Sequence, residues 1–232
     1  MKLKDSVVLI TGANRGIGLA FAKAALARGA RRVYAGARDP SQISLPGAQP
    51  LELDVTSPKD IATAARSCGD VTLVVNNAGI GRQGSLLRSE AIETLQAHLE
   101  TNLFGILRMM QSFAPIVGRN GGGAFLNVLS VASWINSGVL NAYAISKAAA
   151  WSLTNGLRNE LKKQNTQVLA MHMGFVDTDL TKGIDMPKEL PETVVDRALD
   201  ALEADLSEVL ADERARMIKR GLTTEPPIYL TV

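Results

Sequence analysis

The first periodic region of the chain is the stretch Val7-Val-Leu-Ile-Thr-Gly-Ala-Asn-Arg-Gly-Ile-Gly18. The apolar run at residues 7–10 predicts a buried strand, and residues 16–28 follow a helical pattern. Glycines between a strand and a helix let the backbone approach a phosphate, whose charge the helix N-terminus stabilises. Three glycines also occur in ordinary loops, but the strand before them and the helix after them favour a dinucleotide-binding turn.

Beyond this turn, apolar β-rich runs alternate with helical patterns. Further strands are predicted at residues 32–35, 50–53, 71–75, 124–129, 167–171 and 207–210. Further helices are predicted at residues 58–67, 90–117, 142–163, 192–204 and 212–220. This alternation predicts an α/β fold, a doubly wound parallel sheet flanked by helices on both faces. We expect a single Rossmann-like domain over residues 1–232, with a substrate loop at about residues 178–191.

The composition disfavours several classes of protein. The 232 residues are 46% hydrophobic and 21% charged, with a net charge of +2, which argues against a nucleic-acid binder. Cys68 is the only cysteine, so an intrachain disulfide and a cysteine zinc site are excluded. His98 and His172 lie far apart and are expected to be structural, so no metal is predicted. The N-terminus lacks the apolar run of a signal peptide and no stretch approaches a membrane span, so we expect a cytoplasmic protein.

The residues after the second predicted strand bear on the choice of nucleotide. In NAD-binding units an acid about 20 residues past the glycines binds the ribose 2′-hydroxyl, whereas an arginine suits a 2′-phosphate. Counting from Gly18 leads to Arg38, and Arg15 in the glycine turn is a second cation that could reach the same phosphate. Asp39 is adjacent, but it precedes Pro40 and is expected to open a turn. NADP(H) is therefore predicted in preference to NAD(H).

Tyr143 and Lys147 are four residues apart within a predicted helix, so their side chains share one face. An adjacent cation lowers the pKa of a phenol from about 10 toward neutrality, where the phenol can exchange protons with a reacting oxygen. The same spacing is common on solvated helix faces, so the pair alone decides nothing.

Five motifs in register change that reading. They are Thr11-Gly-x-x-x-Gly-x-Gly18, Asn76-Asn-Ala-Gly79, Asn102 in the long central helix, Ser130 at a strand end, and Tyr143-x-x-x-Lys147. In order and spacing, over nearly the whole chain, they resemble the classical short-chain dehydrogenase/reductase family. The resemblance implies that Tyr143 is the general acid/base, Lys147 lowers its pKa and holds the nicotinamide ribose, and Ser130 binds the substrate oxygen. It also implies that Asn102 holds a water in a proton relay.

The resemblance further implies a set of cofactor contacts. Asp54 would accept from the adenine amino group, Asn76 would contact the adenosine, and Thr178 would meet the nicotinamide carboxamide. A helix cap for Asp54 and a turn for Thr178 are the alternatives. The full set is Gly12, Asn14, Arg15, Gly16, Ile17, Gly18, Arg38, Asp54, Val55, Asn76, Ala78, Gly79, Tyr143, Lys147, Gly174, Val176 and Thr178.

One motif departs from the family pattern. Met173-Gly174 stands where family members usually have Pro-Gly. Losing the proline restores a backbone N–H and frees the chain at Met173, so we expect a modified wall on the nicotinamide side.

The residues between Ser130 and Tyr143 are expected to line the substrate cleft. The predicted lining residues are Trp134, Asn136, Leu140 and Phe175, with residues 180–190 as a cover; Trp134 could instead pack beneath a loop. This lining is mostly apolar and shows no obvious anion-binding cation, although Lys182 and Lys188 lie on the cover. An apolar ketone, aldehyde or secondary alcohol is therefore the expected substrate.

The leading hypothesis is an NADPH-dependent carbonyl reductase that acts on a small molecule. The alternatives are an NAD-preferring alcohol dehydrogenase of the same family and a nucleotide-bound regulatory or redox-sensing protein. The resemblance also implies a homodimer or homotetramer that assembles through the two long helices. Phe104, Leu107, Trp151 and Leu157 could lie in that interface or face their own sheet.

Overall fold

Parallel strands form the centre of the protein in a computed structural model that describes residues 1–231. Within those residues the sheet has seven strands in the order β3-β2-β1-β4-β5-β6-β7. The strands are β1 (Val7–Thr11), β2 (Arg32–Ala37), β3 (Ala48–Glu52), β4 (Leu73–Asn76), β5 (Gly123–Val128), β6 (Thr166–His172) and β7 (Glu208–Leu210). All neighbouring pairs are parallel.

Helices cover both faces of this sheet. They are α1 (Gly16–Ala27), α2 (Pro58–Ser67), α3 (Ala91–Leu99), α4 (Gly105–Arg119), α5 (Asn141–Leu161), α6 (Pro191–Glu203) and α7 (Glu213–Gly221). Helices α1 and α6 pack on one face, and α2, α4 and α5 pack on the other, each over its own apolar cluster. The predicted α/β fold with helices on both faces is therefore confirmed.

The central strands are apolar along their length because both sides of each strand are covered. All five residues of β1 and all four of β4 are buried. Edge strand β3 differs, since Gln49 and Pro50 are exposed there. Proline is tolerated at an edge because its missing N–H costs no hydrogen bond to a further strand.

The order of the strands places the site. The chain moves outward from β1 to β2 and β3, then returns to form β4 on the opposite side of β1. In open parallel sheets a ligand crevice lies at such a reversal, beyond the carboxyl ends of the strands. The glycine turn follows β1 and the Asn76 motif ends β4, so both lie at this crevice.

The predicted boundaries agree with the observed ones to within a few residues. The largest differences at strand starts are two residues, since β3 begins at Ala48 rather than Pro50 and β4 at Leu73 rather than Val71. Val71 N–H donates to Cys68 O in the preceding turn, 3.3 Å away. Among residues 1–231, no helix has both the length and the apolar character needed to span a membrane.

Candidate active site

The glycine turn between β1 and α1 has the backbone shape that its sequence predicts. Gly12 and Gly16 adopt φ values of 65° and 53°, in the left-handed region that favours glycine. A Cβ on Gly18 would lie 2.1 Å from Gly12 O, so only glycine lets α1 approach the turn. No side chain caps the start of α1 at Arg15, and the first turn contains no acid. Its N–H groups are therefore free to bind a pyrophosphate, which fits a dinucleotide.

Arg15 reaches across the mouth of the crevice. Its guanidinium donates to Asp179 Oδ2 at 2.8 Å, with both side chains about two-thirds exposed. Thr178, just before Asp179, caps a short 3-10 turn together with Thr181, and its methyl group would lie 3.2 Å from a Cβ on Gly16. Thr178 thus forms part of this turn and lies beside Gly16, while its predicted carboxamide contact stays a prediction. An exposed ion pair of this kind adds at most about 1 kcal/mol, and the predicted phosphate contact of Arg15 stays a prediction.

The charged residues after β2 bear on the choice between NADP(H) and NAD(H). Arg38 is exposed immediately past the strand. Asp39 Oδ1 accepts from the Ser41 N–H and hydroxyl, and Oδ2 accepts from Gln42 Nε2 at 3.0 Å. These hydrogen bonds, led by the Ser41 hydroxyl, lower the pKa of Asp39. The predicted turn at Asp39 is confirmed, and its carboxylate is committed to that turn rather than to a ribose.

Asn14 is tied to the same corner, since its Nδ2 donates to Gln42 Oε1 at 2.8 Å. Asp54, which is predicted to contact the adenine, forms a local turn rather than a helix cap. Thr56 donates to Asp54 Oδ1 from its N–H and its hydroxyl, both at 2.8 Å, and Ser57 is the cap of α2. Val55 is buried beside it. The predicted adenine contacts of Asp54 and Val55 stay predictions.

The two adjacent asparagines after β4 have different surroundings. Asn76 is 3% exposed, and its Nδ2 donates to Asn127 Oδ1 at 2.8 Å inside the sheet. The Asn76 side chain is thus bonded within the sheet, and its predicted contact with the adenosine stays a prediction. Asn77 instead reaches the glycine turn, donating to Thr11 O and Gly12 O at 2.9 and 3.1 Å. Successive residues of a strand point to opposite faces, and the sequence motif does not show which asparagine faces the turn.

The rest of the motif continues that link. Ala78 N–H donates to Thr11 Oγ1 at 3.0 Å, and a Cβ on Gly79 would lie 3.1 Å from Asn102 Oδ1. The motif thus joins the glycine turn to the central helix.

Asn102 lies in a π-helical segment, Glu100–Phe104, that joins α3 to α4. It is fully buried, accepts from Ile80 N–H and donates to Ile80 O, each at 2.9 Å. It also donates to Ser146 Oγ at 2.9 Å, and Ser146 in turn donates to Tyr143 O. Asn102 and Ser146 therefore hold the start of α5 against the loop after β4. The predicted water at Asn102 stays a prediction.

Tyr143 and Lys147 lie one turn apart in α5 as expected, with the Lys147 ammonium 5.6 Å from the Tyr143 ring centre. Lys147 is 4% exposed and donates to Val128 O at 2.7 Å. Burial lowers the pKa of Lys147 from 10.5 to about 8. Burial raises the pKa of Tyr143 to about 12, and the Ser130 hydroxyl only partly opposes that rise. Desolvation of the phenolate therefore dominates, and the pKa of Tyr143 is raised where the sequence analysis expected it to be lowered.

Ser130 lies two residues past the end of β5 and caps a short 3-10 turn, where its Oγ accepts from Ala132 N–H at 3.1 Å. Ser130 and Tyr143 line one wall of a cleft of about 720 Å³, a volume that includes its open mouth. The remaining lining residues are Val131, Ala132, Ile135, Asn136, Ser137, Leu140, Ala144, Gly174, Phe175, Leu180, Thr181, Ile184 and Arg214. The predicted Asn136, Leu140 and Phe175 are among them, as are three residues of the predicted cover.

Trp134 is not part of this lining. It stacks on His172 with ring centres 4.0 Å apart, and the Lys219 ammonium lies 4.7 Å from its ring centre. The 3-10 turn after Ser130 directs its neighbours into the cleft and Trp134 away from it. The prediction that Trp134 lines the cleft is therefore wrong, and the packing alternative is confirmed. Both histidines are buried: His98 accepts from Arg82 N–H, and His172 lies 3.1 Å from Ser130 O.

The loop after β6 brings in a residue that the sequence analysis missed. Gly174 N–H donates to Asp212 Oδ2 at 2.6 Å, and a Cβ on Gly174 would lie 2.6 Å from Arg214 Cδ. Val176 O accepts from Thr181 Oγ1. Arg214 lies in the first turn of α7, outside every motif, so no sequence signal pointed to it. The expectation that the cleft lacks a cation is therefore wrong.

Comparison with known proteins agrees with this geometry. The family model for short chain dehydrogenases matches residues 6–189. The chain is 32% identical over 194 residues to the 3-oxoacyl-(acyl-carrier-protein) reductase FabG of Vibrio cholerae. The aligned region covers 79% of this chain and 79% of that protein. It is 36% identical to a short chain dehydrogenase from Burkholderia cenocepacia in complex with NADP, with a TM-score of 0.95 over 100% of this chain and 98% of that one.

A more distant structure shares the fold alone. A 3-ketoacyl-(acyl-carrier-protein) reductase from Brucella melitensis, complexed with NADH, is 24% identical with a TM-score of 0.82 over 92% of this chain and 100% of that one. The family model spans the glycine turn, the Asn102 segment and the Ser130, Tyr143 and Lys147 group. The chain therefore belongs to the short-chain dehydrogenase/reductase family of oxidoreductases.

Proposed function

We propose that the protein reduces a ketone or aldehyde to an alcohol with NADPH, and that Tyr143 is the general acid. The observation that carries this proposal is the shared cleft wall of Ser130 and Tyr143, in which burial keeps the phenol protonated. A protonated phenol is the form that reduction requires, since the carbonyl oxygen must gain a proton. The similarity to a 3-oxoacyl reductase also supports reduction of a carbonyl rather than oxidation of an alcohol.

The residues of the cleft have separate tasks in this reaction. The Ser130 hydroxyl would bind the substrate oxygen and hold it beside the Tyr143 hydroxyl, which lowers the entropic cost of reaching a reactive geometry. Tyr143 would donate its proton to that oxygen. Lys147, held against Val128 O, would place a cation beside the phenolate that remains. The bound nicotinamide would supply the hydride.

The nucleotide proposal is NADPH rather than NADH. Arg38 is exposed beside the crevice, Arg15 lies on its rim, and the Asp39 carboxylate is already committed to its turn. An acid with free oxygens would favour a ribose 2′-hydroxyl, whereas two arginines favour a 2′-phosphate. The NADP complex of the Burkholderia cenocepacia relative supports this assignment.

The test is a panel of alkyl and aryl carbonyls with NADPH and NADH, run on wild type, Tyr143→Phe and Arg38→Ala. Tyr143→Phe is expected to lower kcat by about 10²- to 10⁴-fold with NADPH binding retained, because general acid catalysis is lost. Arg38→Ala is expected to raise the Kd for NADPH about tenfold or more, the size of a charge-assisted hydrogen bond, with little change for NADH.

Two results would contradict these assignments. Nucleotide binding without reduction of any carbonyl, together with no effect of Tyr143→Phe, would favour a regulatory protein. An unchanged NADPH Kd in Arg38→Ala would remove the basis for preferring NADPH.

A further inference from the structure

Arg214 brings a cation into the cleft that contains Ser130 and Tyr143. It lies in the first turn of α7, close to the carboxyl end of the chain, and shares the lining with Leu180 and Ile184 of the cover. Lys182 and Lys188 are not among the lining residues. Arg214 is thus the cationic side chain of this lining, whose other members are apolar or uncharged.

Two neighbours hold the Arg214 side chain in place. Its stem passes over Gly174, where a Cβ would lie 2.6 Å from Cδ and 3.0 Å from Cβ of the arginine. Its guanidinium lies 5.0 Å from the ring centre of Phe175, within cation–π range. Asp212 holds Gly174 against the start of α7, because it caps the helix through Ala215 N–H and accepts from Gly174 N–H. The side chain is therefore positioned before any ligand arrives.

Among the described residues, no acid forms a salt bridge with Arg214. Asp212 uses Oδ1 for Ala215 N–H and Oδ2 for Gly174 N–H. Glu213 pairs with Arg216 and Arg220. The buried Nε of Arg214 has no hydrogen-bond partner among the described residues. A ligand in the cleft would bind the guanidinium through its terminal nitrogens, because Nε itself has almost no exposed surface.

We propose that Arg214 binds a carboxylate of the substrate, so that the protein acts on oxo acids whose carbonyl and carboxylate are joined by an apolar chain. This rests on the proposed reductase function. The guanidinium fork matches a planar carboxylate and can bind it through two parallel hydrogen bonds. Ile135, Leu140 and Phe175 provide apolar surface for the chain between the two groups.

This assignment leaves the chemistry of reduction unchanged. The carbonyl carbon gains the hydride, its oxygen gains the Tyr143 proton, and the carboxylate forms no covalent bond. Arg214 is a specificity residue, since it touches the far end of the substrate rather than the reacting atoms. An alcohol or ketone without a carboxylate would leave the guanidinium without an anionic partner.

The experiment compares two oxo acids of different size, levulinate and benzoylpropionate, with their methyl esters. Esterification removes the charge and keeps the carbonyl. In wild type at least one acid is expected to exceed its ester in kcat/KM by about 10- to 100-fold, the range of a charge-assisted hydrogen bond. In Arg214→Gln that ratio is expected to fall to near one, and Arg214→Lys is expected to retain part of it. The control Lys182→Gln, on the exposed cover, is expected to keep the wild-type ratio.

A binding measurement separates this proposal from the reductase proposal. Calorimetry with the NADP⁺-loaded protein measures the affinity for each acid and each ester without turnover. Tighter binding of an acid than of its ester, lost in Arg214→Gln, supports the assignment even if no carbonyl is reduced. Equal affinity of acid and ester in wild type, or an acid preference that survives in Arg214→Gln, overturns it. Reduction of the esters alone would leave the reductase function standing and reject the carboxylate site.

Discussion

Lys147 carries its charge in a buried site. Its ammonium donates to Val128 O, but burial still lowers its pKa from 10.5 to about 8. The folded state therefore binds this proton less tightly than the unfolded chain does. Below about pH 8 both states carry the proton, and the buried charge lowers the unfolding free energy by its full amount. This destabilisation decreases as the pH rises from 8, where the folded state loses the proton, to 10.5, where the unfolded chain loses it too.

We therefore expect Lys147→Met to be more stable than wild type near neutral pH. The excess in unfolding free energy is at most about 4 kcal/mol, since each pKa unit corresponds to about 1.4 kcal/mol. It should shrink as the pH rises from 8 to 10.5. Denaturant unfolding of both proteins across this range measures it. Lys163→Met, at an exposed lysine after α5, should show no such trend, and a pH-independent difference for Lys147→Met would contradict the assignment.

At the scale of elements, the junction between β1 and α1 depends on close backbone approach. Gly18 lies in α1, and a Cβ there would meet Gly12 O at 2.1 Å and Asn77 Nδ2 at 2.6 Å. Neither neighbour is free to move, because Gly12 forms the turn and Asn77 bonds both Thr11 O and Gly12 O. The helix start, the turn and the loop after β4 are thus one packed unit.

Gly18→Ala is expected to lower the unfolding free energy by about 1–3 kcal/mol through overpacking and to weaken NADPH binding. Gly156→Ala is the matched control, because Gly156 lies inside α5 with no atom within 4 Å of its Cβ position. The control should be stabilised by up to about 1 kcal/mol, the helix propensity difference. Thermal unfolding and fluorescence titration with NADPH measure both effects. Wild-type NADPH affinity in Gly18→Ala would show that the turn does not contact the nucleotide.

At the scale of the whole molecule, the layer formed by α3, α4 and α5 leaves apolar side chains uncovered. Ile92 in α3 is 72% exposed, and Phe104 in the π-helical segment is 42% exposed. Trp151 and Leu157 pack partly against their own core instead, and Leu107 is half-buried. Of the residues predicted for a subunit interface, Phe104 is therefore the most available.

We expect the protein to be at least a dimer and Ile92→Glu to shift it toward the monomer, because the substitution places a charge on this apolar face. Light scattering coupled to size exclusion measures the mass directly. The control is Leu206→Glu. Leu206 is 48% exposed in the turn after α6, on the opposite face of the sheet, so this variant should remain at least a dimer. A monomeric wild type, or an unchanged mass in Ile92→Glu, would contradict the predicted assembly.

The features readable from the residues alone are those with short-range causes. The run from Val7 to Gly18 predicts a strand, a turn and a helix because each depends on neighbours a few residues away. The spacing of Tyr143 and Lys147 places both on one helix face for the same reason. Asp39 before Pro40 opens a turn through its own hydrogen bonds to Ser41 and Gln42. These local rules, repeated along the chain, are sufficient for the α/β fold.

Other features depend on contacts between distant parts of the chain, and only the folded structure reveals them. Trp134 turns from the cleft because it packs on His172, 38 residues later by the sequence numbering. Burial by several elements raises the pKa of Tyr143, an effect that helix spacing does not encode. Arg214 enters the cleft because α7 returns to the loop after β6, where Gly174 leaves room for its stem. Spacing therefore determines which groups can act, and tertiary packing decides their surroundings and hence their chemistry.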